Sequence, residues 1–398
     1  MHRTGGHGTG VHGSSKLHWF LPDAFGFIRE LTATPPKCGE RLINLSIGAP
    51  NRPTPEAIRM VMKEAVDVTA YHTYPPQFGA PELCAEVAAW YKRRFGVAVD
   101  AKREVLVTVG IKEAIFNSLH ALVNPGDVIL VPNPGYPTYF EAVTFCGGKM
   151  VDYDSNQDQE ETLTSIRRAA EIHTPSYVIV NYPSNPTGRV VTADFYRGLS
   201  ELSHSLGFAV LSDLAYSEIA FDGFRVPSYF EARGNPSNAL EYFAFSKTYN
   251  MAGWRVGAIV ADEAILGPVK LYKSKIDSNV FYPIQLAAAH GLRTTSESFY
   301  AELARIYEER RDILVEGLKS DGLTAVTPRG AMYAWVHVPT GLDSWQFTRR
   351  LYDDCGILGV PGVGYGSNGR DYVRLGLVQE KEIMKTAADR LRSGVTGR

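Results

Sequence analysis

Lys247 and Arg255 stand eight residues apart in "FSKTYNMAGWRVG", the first at the end of an apolar run and the second beyond a glycine. An amine in an apolar setting can condense with a carbonyl, and a guanidinium can hold an anion. Other chemistry-bearing groups also follow apolar runs: Asp213 and Tyr216 in "SDLAY", Asn185 in "YPSNPTG", Tyr136 in "NPGYPTY", and the turn Gly110-Ile111-Lys112. Singly, each has an ordinary explanation. A strand-end lysine is commonly solvated, Asp213 could cap a helix, and the tyrosines could simply pack. Their shared position at the ends of apolar runs is what requires a cause.

The runs themselves supply one. VLVTV (105–109), VILV (128–131), KMVDY (149–153), YVIVN (177–181), FAVLS (208–212), YFAFS (242–246) and VGAIVA (256–261) are nearly continuous in apolar residues, the pattern of strands covered on both faces. Helical periodicity fills 112–122, 138–145 and 192–206 between them, and 55–68 and 81–95 before them. This alternation predicts an α/β fold with a mainly parallel, seven-stranded sheet flanked by helices. A helical stretch over 283–320 leads into a remainder that reads as a smaller α+β unit, with AMYAWVHV and YVRLGLV as its clearest strands. In open parallel sheets ligands sit beyond the carboxyl ends of the strands, where loops enter helices. The polar groups above fall there.

The bulk numbers narrow the partners. The chain has 398 residues, 44% hydrophobic and 21% charged, with a formal net charge of -2 spread without a basic stripe, which argues against nucleic acid. Cys38, Cys84, Cys146 and Cys355 lie too far apart for a zinc knuckle or a disulfide framework, which fits reduced thiols in a cytoplasmic protein. No apolar stretch approaches the roughly 20 residues needed to span a bilayer, so no membrane is expected. Residues 2–15, rich in Gly, His and Ser, read as a flexible tail and not as a metal site. Gly364 to Gly369 satisfies G-x-G-x-x-G but precedes a strand and opens no helix, so dinucleotide binding is rejected there.

A carboxylate, a phenol, an amide, a flat ring, a glycine turn and an amine match the needs of one cofactor. Pyridoxal 5'-phosphate has an aldehyde that condenses with a lysine, a ring nitrogen that must stay protonated, a phenolic oxygen and a phosphate. Six segments in order, "NPGYP", "NYPSNPTG", "SDLAYSEIAFDG", "FSKTYNMAGWRVG", "RGAMYAW" and "YVRLGL", carry a resemblance. From about Leu42 to Leu391 the chain resembles the fold-type-I, pyridoxal-phosphate-dependent aminotransferases of class I/II. Within them it is similar to the bacterial alanine, aspartate and LL-diaminopimelate enzymes.

That resemblance implies a division into a tail (1–18), an N-terminal segment packing with the small domain (19–54), a large cofactor-binding domain (55–300) and a small C-terminal domain (301–398). It implies Schiff-base chemistry on Lys247, Asp213 against the ring nitrogen, and Asn185 and Tyr216 on the phenolic oxygen. Tyr136 would stack on the ring. Gly110, the amides of Ile111 and Lys112, Ser246 and Arg255 would take the phosphate. Arg374, with Asn185 and the Gly48 strip, would hold the α-carboxylate of the substrate. Tyr74 would reach the phosphate of a neighbouring subunit, which implies a homodimer with shared sites. The implied reaction moves an α-amino group from an amino acid to a 2-oxo acid. The alternative keeps the cofactor but directs it to elimination or replacement at Cβ or Cγ, including S-adenosylmethionine-using chemistry.

The sequence also departs from the family pattern. Ala244 and Ile111 occupy positions where hydroxyl residues usually contact the phosphate. Asn279 replaces a usual glycine in "KIDSNVF", and "IGAPN" lacks the acid or amide often found after its glycine. Lys112 matches a lysine that some relatives use for the distal carboxylate of acidic substrates.

Overall fold

Apolar residues that alternate along a strand reach opposite faces of a sheet, and a strand apolar at every position needs cover on both. The computed structural model, which describes Ser14 and residues 23–233, 238–320 and 323–394, shows that cover. Seven strands form one sheet: β1 (Val105–Thr108), β2 (Val128–Asn133), β3 (Lys149–Asp154), β4 (Tyr177–Asn181), β5 (Ala209–Asp213), β6 (Ala239–Ala244) and β7 (Gly257–Ala261). Their order is β1-β7-β6-β5-β4-β2-β3, and only β7 runs antiparallel to its neighbours. Val105 and Val107 join one core layer with Val87, Trp90 and Leu199, while Leu106 joins the other with Ile115, Val143 and Leu266. Every residue of β1, β5, β6 and β7 is buried.

A second, four-stranded sheet takes Val360–Pro361, Tyr372–Gly376, Tyr333–His337 and Ala325–Val326 in that order, all antiparallel. Its core includes Leu314, Phe347, Leu375 and Leu391. Near the N-terminus, Ile43–Asn44 pairs in parallel with Ile357–Leu358. The helix Glu297–Ser320 bridges the two cores, with Tyr300 packed in that of the large sheet and Leu303 and Tyr307 in that of the small one.

The mainly parallel sheet and its seven strands agree with the sequence reading, but several ends differ. The run read as a strand over 242–246 begins at Ala239, because Glu241, which interrupts the apolar pattern, is a fully buried strand residue. It also stops at Ala244, and Phe245–Thr248 forms a helical turn. Lys247 therefore projects from the first turn after the strand. The helical stretch expected over 283–320 is two helices, Tyr282–Thr294 and Glu297–Ser320, separated where Thr295 turns extended. Apart from Ser14, the tail expected over 1–18 lies outside the described residues. Gly364 to Gly369 forms short 3-10 turns before the strand Tyr372–Gly376. It docks on the loop after β2, where Gly135 N–H donates to Tyr365 O and Asn368 N–H to Asn133 Oδ1.

Candidate active site

The carboxyl ends of β4, β5 and β6, with the turn after β1, open onto one cavity of about 510 Å³. Asp213, Tyr216, Asn185, Ser246 and Lys247 line it. So do Tyr136, Arg255, Ile111 and Lys112, and on the small-sheet side Arg374 and Gly48. Gly110 stands directly behind this wall: its φ is +77, and a Cβ added there would meet Arg255 Nη2 at 2.5 Å. The left-handed φ favours glycine there, and a side chain would in addition have to displace the Arg255 guanidinium. Tyr74 is not brought to the cavity of its own chain and is 86% exposed.

Asp213 ends β5, and its carboxylate accepts from Tyr139 Oη (2.6 Å) and the Ala215 N–H (3.0 Å). Burial pushes its pKa up to about 6, against which the two donors and nearby Lys247 pull down. The Asn181 amide donates to the Asp213 carbonyl (3.0 Å), and the Asn185 N–H donates to Asn181 Oδ1 (2.9 Å). One strand end thus sets the geometry of the next.

Lys247 donates to the Gly48 carbonyl at 2.5 Å, and its amine lies 6.0 Å from the centroid of the Tyr216 ring. Burial lowers its pKa, with Arg374 and Arg255 adding to the effect while Tyr333 and Asp213 oppose it. A buried amine deprotonates more readily and is the better nucleophile. Tyr216 and Tyr333 share a hydroxyl–hydroxyl hydrogen bond of 2.9 Å, and burial raises the Tyr216 pKa, so its phenol keeps its proton.

Arg374 is buried. Its Nη1 donates to Asn185 Oδ1 (3.0 Å), its Nη2 donates to the Ser46 carbonyl (2.8 Å), and its plane lies 4.1 Å from the Tyr333 ring centroid and 4.9 Å from that of Tyr365. Its Nε is buried without a hydrogen-bond partner among the described residues. Arg255, in the left-handed region with φ 55, donates from Nη1 to the Ala252 carbonyl (2.8 Å) and from Nη2 to that of Val109 (3.3 Å). These neutral partners leave its positive charge uncompensated beside the glycine turn.

Comparison with known proteins places this geometry. The family model for aminotransferase class I and II matches residues 40–391. An LL-diaminopimelate aminotransferase of Syntrophobacter fumaroxidans is 37% identical over 385 residues, covering 95% of this chain and 98% of the relative. LL-diaminopimelate aminotransferase 2 of Nostoc sp. is 37% identical over 89% of this chain and 91% of its own. Among solved structures, a Thermus thermophilus aspartate aminotransferase mutant superposes with a TM-score of 0.88 at 28% identity, covering 96% of this chain and 99% of that one. Apo-BacF from Bacillus subtilis gives 0.88 at 30% identity, covering 96% and 98%.

The chain is a class I/II aminotransferase. It is a pyridoxal-phosphate-dependent transferase of fold type I, and the comparisons support amino-group transfer over the elimination and replacement alternative. The residues present fit the cofactor. A buried carboxylate held by two donors, a half-buried amine with one carbonyl partner, and a glycine turn beside an arginine that has no acidic partner among the described residues share a single cavity.

Tyr139, Tyr333 and Asn181 also belong to the wall, without a role read from the sequence. Tyr139 closes "NPGYPTY" and Tyr333 lies in "RGAMYAW". Only the fold brings their hydroxyls to Asp213 and Tyr216.

Proposed function

We propose that this aminotransferase acts on an amino acid carrying a second charged end, that it works as a homodimer in the cytoplasm, and that the cavity residues divide the chemistry as follows. Bound there, pyridoxal phosphate supplies an aldehyde that takes up an amine and a ring that accepts the electrons of a broken Cα bond. Lys247 holds the group, yields to the substrate amine, and its freed Nζ removes the substrate Cα proton and returns it. Asp213, ionised above about pH 6, keeps a proton on the ring nitrogen. Asn185 accepts from Arg374 through Oδ1, which leaves its Nδ2 as a donor for the phenolic oxygen beside Tyr216. Tyr136 covers the ring. Gly110, the amides of Ile111 and Lys112, Ser246 and Arg255 receive the phosphate. Arg374 takes the α-carboxylate and so fixes which Cα bond stands across the ring. The observation that carries this reading is that the Lys247 amine, the Asp213 carboxylate and the Arg374 guanidinium open onto the same cavity.

The charged-end proposal rests on Lys112, which lines the cavity and among the described residues has only a loose partner, Glu141 Oε2 at 3.7 Å. The names of the relatives point the same way. The test is to mix the holoenzyme separately with LL-diaminopimelate, aspartate, alanine and phenylalanine and measure conversion of the cofactor to its amine form. Donors with a distal charge should convert fastest, and Lys112→Ala should lower the aspartate-to-alanine ratio about tenfold. An unchanged ratio removes Lys112 from specificity. Release of a leaving group without the amine form of the cofactor would contradict amino-group transfer in this chain.

Small amino acids and oxo acids are the partners that this activity requires. No helix among the described residues is long and apolar enough to cross a membrane. The homodimer is supported by Tyr74 and by exposed Val68, Phe78 and Phe281, apolar side chains for which a second copy offers cover.

A further inference from the structure

Lys273 ends the helix Glu263–Lys273 and is 0% exposed, yet it is not part of the cavity wall. A buried ammonium needs partners. Its Nζ donates to Glu113 Oε1 (3.0 Å) and to both oxygens of Asp277 (2.7 and 2.8 Å). Glu113 sits in the first turn of the helix Ile111–Leu122, immediately after the glycine turn. Its Oε2 accepts from the Val109 N–H (3.0 Å), and its Oε1 also accepts from Asn117 Nδ2. Three donors face this carboxylate, while burial and the neighbouring Asp277 carboxylate push its pKa up against the pull of Lys273.

The Val109 peptide is therefore clamped twice. Glu113 accepts from its N–H, and Arg255 donates to its carbonyl at 3.3 Å. The next residue is Gly110, and the following amides are those of Ile111 and Lys112. The other end of the cluster is tied as well: Asp277 Oδ1 accepts from the Asn279 N–H (2.7 Å), while Asn279 Nδ2 donates to the Gln77 carbonyl (3.0 Å). Asn279 has φ 73, a left-handed conformation that asparagine tolerates better than most residues, and its side chain is used as a strut between segments.

We propose that Glu113, Lys273 and Asp277 form a positioning network for the phosphate turn: Glu113 fixes the turn, and Lys273 offsets the negative charge that Glu113 and Asp277 would otherwise bring beside a phosphate. The proposal rests on reading Gly110, Ile111, Lys112 and Arg255 as the phosphate site. Without Lys273 two half-buried carboxylates would face each other with no cation between them. The network touches no reacting atom, so its effect is on the phosphate half of cofactor binding and not on the aldehyde half.

That division gives the test. The full chain is stripped of cofactor, and dissociation constants are measured for pyridoxal phosphate and for pyridoxal, which lacks the phosphate. Their ratio is the phosphate preference. Lys273→Met should lower this preference about tenfold, and adding Glu113→Gln to Lys273→Met should restore part of it, because the charge nearest the turn is then gone, although that of Asp277 stays, while an acceptor for Val109 remains. Equal weakening toward both ligands, or no weakening, overturns the proposal. Arg255→Met separates the two levels. If it leaves the preference intact, the phosphate site itself has been misread; if it lowers the preference while Lys273→Met does not, only the network falls. Should Lys273→Met fail to fold, Glu113→Ala is measured instead. Lys273 keeps Asp277 in that variant, the freed Val109 N–H should lower the preference, and an unchanged value overturns the proposal.

Discussion

Asp213 is asked to be an anion in a place where water cannot support one. Burial raises its pKa, and the Tyr139 hydroxyl, the Ala215 amide and nearby Lys247 hold the rise to about 6. The sign of a pH effect follows. A carboxylate whose pKa is raised is ionised only at higher pH, so the limb of activity that depends on ionised Asp213 falls as pH drops through its pKa. Tyr139→Phe removes one donor and pushes that pKa further up. The acid limb of kcat/KM should move to higher pH, with a loss that grows as pH falls and little change at pH 8. An acid limb unmoved by the substitution would show that Asp213 does not set it. The lysine and the aspartate were legible in the sequence because a polar residue ending an apolar run is conspicuous. Tyr139 was not, since its partner lies 74 positions away and only the sheet brings them together.

At the scale of the element, β6 shows why an apolar pattern can hide a strand. Glu241 lies in its middle at 0% exposure, accepting from Tyr91 Oη (3.1 Å), Ser228 Oγ (2.6 Å), Ser212 Oγ (3.1 Å) and the Tyr229 N–H (3.2 Å). Burial raises its pKa from 4.5 to about 7, although each of these donors pulls the other way. The folded chain therefore binds more protons than the unfolded chain between those values, and stability falls as pH rises through them. The fall amounts to about 3 kcal/mol once pH exceeds the upper value. Glu241→Gln carries no such proton. Denaturant unfolding of the two proteins at about pH 5 and about pH 8 should show wild-type stability dropping relative to the variant by about that amount, on top of a constant offset. A difference independent of pH would mean that Glu241 is already ionised throughout, or that its proton does not differ between folded and unfolded states. The apolar run alone marks the strand only from Tyr242, after this charge; the four donors that satisfy Glu241 inside the strand come from other segments.

At the scale of the molecule, the two sheets meet at the cavity. Arg374 on the strand Tyr372–Gly376 reaches Asn185 beyond β4, and Lys247 beyond β6 reaches the carbonyl of Gly48. The alternation of strand and helix made the large sheet legible, since each continuous apolar run needs cover on both faces. The Glu113–Lys273 pair was not legible, because its members are 160 positions apart and an isolated lysine in a helix reads as a solvated charge. A second copy of the chain is expected over Tyr74 and its exposed neighbours. Sedimentation at micromolar concentration should show a dimer, and mixing a Tyr74→Phe chain with a Lys247→Ala chain should yield hybrid dimers in which cofactor affinity differs between the two sites. A monomer that binds the cofactor as tightly as the assembled enzyme would refute the shared site.

The most direct test of the whole account is chemical. Holoenzyme is reduced with borohydride and digested, and the peptide bearing a phosphopyridoxyl group is located by mass spectrometry. The account predicts a single adduct on the peptide containing Lys247, absent from Lys247→Ala; an adduct on Lys112 or Lys273 in the wild-type protein, or none at all, would contradict it.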